Sequence, residues 1–262
     1  MFKVTKYPHG TFCWADCSST DPAKGKQFYA QLMSWETDDL PLGDGMVYTM
    51  FKQGGSQVAA IGPMNPNQPP MPSFWSSYVK VDDADAVVKK VTEAGGTVIL
   101  EPMDVFDSGR MTMIQDPTGA FLGLWQPQNH IGAQLVNTPG AMTWNELATR
   151  DSQKARDFLG HVFGWQFQKA EHMDYYYIMN QGRMNGGIMQ MDASWGDIPA
   201  NWMVYFSVKN IDETATKASA LGGKLMQPIM EAPGTGRFAI IADPQGAVSS
   251  FIQLVEPQPW TE

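Results

Sequence analysis

DPAKGKQFYAQLMSWET (21–37) returns as DSQKARDFLGHVFGWQF (151–167), 130 residues further along the chain. FWSSYVKVDDADAVVKKVTEAGG (74–96) returns as NWMVYFSVKNIDETATKASALGG (201–223), and SGRMTMIQDPTGA (108–120) as TGRFAIIADPQGA (235–247), both 127 residues on. Three blocks repeated in one order at a nearly constant offset are an intrachain duplication, so the repeat has to be read before any single element.

Both copies read alike. A strand (11–19, then 141–149) leads into Asp21 or Asp151, each an N-cap, and Pro22 follows where a missing N–H costs nothing. Phe28, Leu32 and Trp35, then Phe158, Val162 and Trp165, fall at helical spacing. A hairpin follows, 46–51 with 57–64 around Gln-Gly-Gly, and 175–179 with 185–191 around Gln-Gly. The next strand, 75–81 or 202–208, precedes a second helix that stops at Gly95-Gly96 or Gly222-Gly223. A last hairpin carries Asp-Pro-x-Gly at 116–119 and 243–246.

Each copy is therefore two βαβββ units. The expected organisation is a first module over 8–127, a linker over 128–140 and a second module over 141–255. The fold class expected is α+β, with the four units forming two cup-shaped, curved mixed sheets. The proline-rich stretch 65–73 is read as a surface connection.

The chain has 262 residues, with 18 Lys and Arg against 27 Asp and Glu, a net charge of −9. No basic block interrupts that acidity, which argues against nucleic-acid and membrane-surface roles. A hydrophobic share of 43% fills an ordinary core, and no apolar run reaches the roughly 20 residues of a membrane span. The opening MFKVTKYPHG lacks the apolar stretch of a secretory signal. Cys13 and Cys17 lie four residues apart on one strand, roughly 13 Å at 3.3 Å per residue, too far to bridge. Reduced thiols in a cytoplasmic protein are expected.

These paired units, with an Asp-led helix ending near Phe-Tyr…Trp and a terminal Asp-Pro-x-Gly hairpin, resemble the glyoxalase/bleomycin-resistance/dioxygenase (vicinal oxygen chelate) superfamily. The likeness is nearest to its two-module branch, which includes mycobacterial glyoxalase-family antigens of undefined activity. Trp14-Ala15-Asp16, Trp144-Asn145-Glu146 and the linker run Asn129-His130-Ile131-Gly132-Ala133 carry it.

The resemblance implies a divalent metal on the floor of a cup, held by His, Gln or Glu from three strands. The first ligand position maps to Trp14 and Trp144, the second to Ser76 and Met203, and the last to Gly123 and Ser250. None is a competent ligand. His9, His130, His161 and His172 are read as surface or supporting histidines, because ligands need a convergent partner set. No cofactor is expected, and a divalent ion held by acids plus water is the open alternative. Metal-dependent glyoxalase and extradiol dioxygenase activities are not expected.

One carboxylate stands at a matching place in each copy, Asp16 and Glu146. Strand alternation puts them on the faces of Trp14 and Trp144. Buried acids need pairing, neutralisation or a job. They are the candidate acid–base groups, or else carboxylates that hold the first strands in register. Trp14, Trp144, Tyr78, Tyr205, Tyr48 and Tyr176 are candidate ligand contacts, and Arg110 and Arg237 candidate clamps for a ligand anion. Trp75 and Trp202 are assigned to the core.

The expected function is binding of a small, largely apolar or aromatic organic molecule in a cup without the usual metal triad. A lyase- or isomerase-type enzyme using Asp16 or Glu146 is the alternative. The expected partner is that small molecule, in a monomer or homodimer.

Overall fold

The computed structural model describes residues 3–64 and 71–256. Residues 65–70 of the proline-rich connection lie outside the described residues. In the first module β1 (Phe12–Ser19) runs into α1 (Pro22–Met33), β2 (Glu36–Gly43), β3 (Met46–Gln53) and β4 (Ser56–Pro63). The second unit is β5 (Phe74–Lys80), α2 (Ala84–Glu93), β6 (Thr97–Val105), β7 (Gly109–Gln115) and β8 (Phe121–Pro127). The eight strands form one mixed sheet, ordered β2-β3-β4-β1-β5-β8-β7-β6.

The second module repeats the plan. It holds β9 (Met142–Thr149), α3 (Ser152–Phe163), β10 (Gln166–Lys169), β11 (Tyr175–Asn180) and β12 (Arg183–Gln190). Then come β13 (Asn201–Ser207), α4 (Ile211–Ala220), β14 (Lys224–Leu225), β15 (Met230–Ala232), β16 (Gly236–Ala242) and β17 (Val248–Leu254). Their order is β10-β11-β12-β9-β13-β17-β16-β14, with β15 beside β16. Both sheets are open, and the fold is the α+β duplication of βαβββ units.

Asp21 and Asp151 cap α1 and α3 by accepting the N–H of Lys24 and Lys154. Those helices end earlier than the apolar spacing predicts. Ser34 and Gly164 turn left-handed, so Trp35 and Trp165 lie beyond them. Their indoles tie the halves together instead. Trp35 Nε1 donates to Gly140 O and Trp165 Nε1 to Gly10 O, each at 2.8 Å.

The modules pack helix side to helix side. Trp75 and Trp202 are buried in that shared core, near Phe206 and Phe12 respectively. Ser77 Oγ donates to Asn145 Oδ1 at 2.6 Å across it, which gives the buried Asn145 side chain of β9 a partner. Cys13 and Cys17 are free and buried on the same side of β1.

Each double glycine has two jobs. Gly95 and Gly222 take the positive φ that stops a helix. Gly96 and Gly223 make room for the ring of Phe158 or Phe28 from the other module: a Cβ would sit 2.6 Å and 3.0 Å away. The cup faces are thereby turned away from the common core. Among the described residues, no helix is long and apolar enough to cross a membrane.

Candidate functional site

Cross-strand register decides what faces each cup. Trp14 pairs with Tyr78, which lies beside Gly123, so β1, β5 and β8 present one level row. Trp144, Tyr205 and Ser250 form its counterpart. Ser76 and Met203, the expected second positions, instead lie level with Asp16 and Glu146, one pleat away.

The row has poor donors for a divalent cation. An indole N–H offers no lone pair, glycine has no side chain, and burial raises the Tyr78 phenol well above its ordinary pKa. A resident metal does not fit that set. Among the described residues, no group of three or more His, Cys, Asp and Glu side chains stands close enough to hold a metal ion.

Asp16 organises the first cup. Tyr48 and Tyr78 both donate to its Oδ2, at 2.9 and 3.4 Å. Trp14 Nε1 donates to the Tyr48 hydroxyl at 3.3 Å. Burial drives the Asp16 carboxyl up to about 6, and the two phenols only partly offset it. Oδ1 has no hydrogen-bond partner among the described residues and is the site's spare acceptor.

Glycines create the room for this network. A Cβ at Gly123 would lie 2.2 Å from the Tyr78 ring, and one at Gly62 would lie 2.8 Å from the Tyr48 ring. Met50 and Met113 share the cup face, from the strand levels of Asp16 and Gly123.

The second cup repeats the motif. Tyr205 donates to Glu146 Oε1 at 2.9 Å, and Trp144 Nε1 to the Tyr175 hydroxyl at 2.9 Å. Burial raises the Glu146 pKa, and the neighbouring Tyr205 and Tyr175 phenols partly restore it. A Cβ at Gly187 would lie 1.8 Å from the Tyr175 hydroxyl.

Two expectations are corrected here. Tyr176 is not the partner of Tyr48. Tyr175 is level with Met189 and so with Ala148 in β9, as Tyr48 is level with Gly62 and Ser18. Tyr176 faces α3 instead, with the Arg156 guanidinium 3.8 Å from its ring centre.

Arg110 and Arg237 also lie on the helix side. Arg110 grips Asp85 with Nε and Nη2 at 2.8 and 2.9 Å and reaches Asp104 with Nη1 at 3.0 Å. Arg237 grips Asp212 at 2.6 and 3.1 Å. Both guanidiniums are committed to helix-leading acids and do not face a cup.

His130 is a residue that sequence reasoning missed. The linker carries it onto the first cup, edge-on to Trp14 with ring centres 4.5 Å apart and 5.7 Å from Trp125. Its Nδ1 bonds Gln57 Oε1 at 3.1 Å, while Nε2 is buried without a hydrogen-bond partner. Burial lowers its pKa to about 4. The Asn-His-Ile-Gly-Ala run was the only hint, since nothing local marks a linker histidine as cup-facing.

Two surface clefts lie elsewhere. One of about 310 Å³ is lined by Thr118, Arg150, Asp151 and Lys154, and one of about 230 Å³ by Lys6, Lys80 and Asp82. Neither includes a member of the two acid–phenol networks.

Comparison with known proteins agrees with this architecture. The model of the Glyoxalase/Bleomycin resistance protein/Dioxygenase superfamily matches residues 15–124 and 130–251. "Putative glyoxylase CFP32" of Mycobacterium tuberculosis is 43% identical over 98% of this chain and its own full length. "Anthracycline biosynthesis protein DauV" of Streptomyces sp. strain C5 is 33% identical over 98% of both chains. The Mn(II)-bound glyoxalase from Novosphingobium aromaticivorans shares the fold at TM-score 0.65 and 17% identity, over 98% of this chain and 84% of its own.

Proposed function

The chain belongs to the glyoxalase/bleomycin resistance protein/dioxygenase superfamily, and from that premise we propose that its first cup binds a small planar aromatic molecule without a metal. The observation that carries this reading is the spare oxygen of Asp16. It sits on a carboxyl held by two phenols, one of which accepts from the Trp14 indole, with Met50 and Met113 on the same face. Thioethers and rings suit a flat apolar ligand, and the free carboxyl oxygen fixes one hydroxyl on it. The relatives named for anthracycline biosynthesis support fused rings as the ligand class.

Titration of the protein with 2-naphthol, followed by tryptophan fluorescence and calorimetry, tests the reading. Saturable binding is expected, weakened roughly tenfold or more by Asp16→Asn, the worth of a hydrogen bond to a charged group. No saturable binding, or binding indifferent to Asp16, overturns it.

A carboxyl with a pKa near 6 in an apolar cup also favours a second reading, proton movement next to a ligand carbonyl. The carboxylate would take a C–H proton, the bonding pair would form the enolate, and the proton would return to either end. Deuterium exchange into 2-tetralone separates the two. Exchange abolished by Asp16→Asn with binding retained assigns catalysis, and absent exchange leaves binding alone.

A further inference from the structure

We infer that the ligand's ring seat in the first cup is the place now filled by the His130 imidazole, between Trp14 and Trp125, and that the ligand enters by turning this ring out. The inference rests on the proposed aromatic ligand and says where that ligand sits.

The backbone beneath His130 is fixed. Its N–H donates to Ser108 O at 3.0 Å, and its carbonyl accepts from Trp125 Nε1 at 2.8 Å. Three residues on, Ala133 N–H donates to Cys13 O at 2.7 Å. Any motion is therefore confined to the side-chain torsions, a rotamer change rather than a loop opening.

The ring itself is weakly held. It has one polar tie, to Gln57, and its buried Nε2 lacks a partner, an arrangement that disfavours the inward position. Turning outward returns both nitrogens to water. What is lost is edge-to-face contact with two indoles. An incoming arene restores that contact with a larger ring and leaves no nitrogen stranded.

The slot is particular to the first cup. Trp125 stands beside Lys80 in the sheet, and the matching position beside Ser207 is Ile252. The second cup therefore presents one indole of the pair, and the first cup presents both.

The test uses the full chain and 2-naphthol. In the wild-type protein, the His130 ring-proton resonances carry the ring-current shifts of Trp14 and Trp125. Saturation should move them to the position of an exposed histidine. His130→Ala should tighten 2-naphthol roughly tenfold by removing the competitor. Saturation with the His130 resonances unmoved, or weaker binding by His130→Ala, overturns the ring seat and leaves the proposed function standing. No 2-naphthol binding by either protein removes the proposed function and the ring seat together. The wild-type resonances decide the matter even if the variant folds poorly.

Discussion

In the first cup the carboxyl that two phenols hold is an aspartate, and in the second it is a glutamate one methylene longer. Tyr78 lies over a glycine, Gly123, whereas Tyr205 lies beside Ser250. Tyr48 is backed by Gly62, whereas Tyr175 depends on Gly187, two residues from the matching site, Met189. The network of acid, two phenols and indole is thus the same in both modules, while the room for it comes from different residues. The two copies differ in the residues that make room for the phenols while each keeps an acid, two phenols and an indole. A pair of accidental strand contacts would not reproduce the same four hydrogen-bonding groups in two diverged sequences.

The hardest test of this comparison exchanges the residues beneath the phenols. Gly123→Ser drives a side chain into space where a Cβ would already lie 2.2 Å from the Tyr78 ring. It should cost about 3 kcal/mol, the upper range for overpacking a core, and should detach Tyr78 from Asp16. Ser250→Gly removes a small side chain with its long bond to Ala239 O and adds chain entropy, so about 1 kcal/mol is expected. Urea unfolding of both variants measures the asymmetry. Equal costs would mean that the two phenols are supported alike.

Next in size is the charge on the acids. The folded-state pKa of Asp16 is about 6 against an ordinary aspartate value of 3.8, so the folded chain holds this proton more tightly than the unfolded chain does. Its contribution is fully present below pH 3.8 and is lost as pH rises through about 6. Asp16→Asn cannot lose that proton. Relative to wild type, the variant should gain stability across this window, by about 3 kcal/mol at neutral pH. Glu146→Gln should drift in the same direction. Denaturant midpoints at pH 4 and pH 7 read both effects. A gap that does not widen with pH would show that the acids are not desolvated.

The sequence carried the duplication, the order of strands and helices in each unit and the correspondence of Asp16 with Glu146, because repeats and period-2 alternation need no tertiary information. It misplaced what depends on the partner strand. Three tyrosines run together at 175–177, and choosing among them needs the register of β11 on β12, where a slip of one residue reverses the face. An arginine follows a glycine at the start of a strand in both copies, and only the packing of α2 and α4 shows that Asp85 and Asp212 wait on the same side. His130 was invisible for a third reason. A linker has no periodicity, so its side chains declare a direction only once both modules are in place.

Adjacent tyrosines offer the finest distinction, because the change is one oxygen in each case. Tyr175→Phe removes the hydroxyl that accepts from Trp144 and neighbours Glu146, and should cost about 1 kcal/mol. It should also raise the Glu146 pKa further, since that phenol favours the carboxylate. Tyr176→Phe keeps the ring on which the Arg156 guanidinium rests and loses nothing that touches the acid. Its stability and the Glu146 titration, followed by carboxyl-carbon NMR, should match the wild type. Arg110→Ala should be comparably mild, because its pair with Asp85 lies at the surface, where water screens it. It should leave 2-naphthol affinity unchanged. A shift in Glu146 by Tyr176→Phe, or a loss of affinity by Arg110→Ala, would place those side chains in the cups after all and undo the assignment of faces on which the comparison rests.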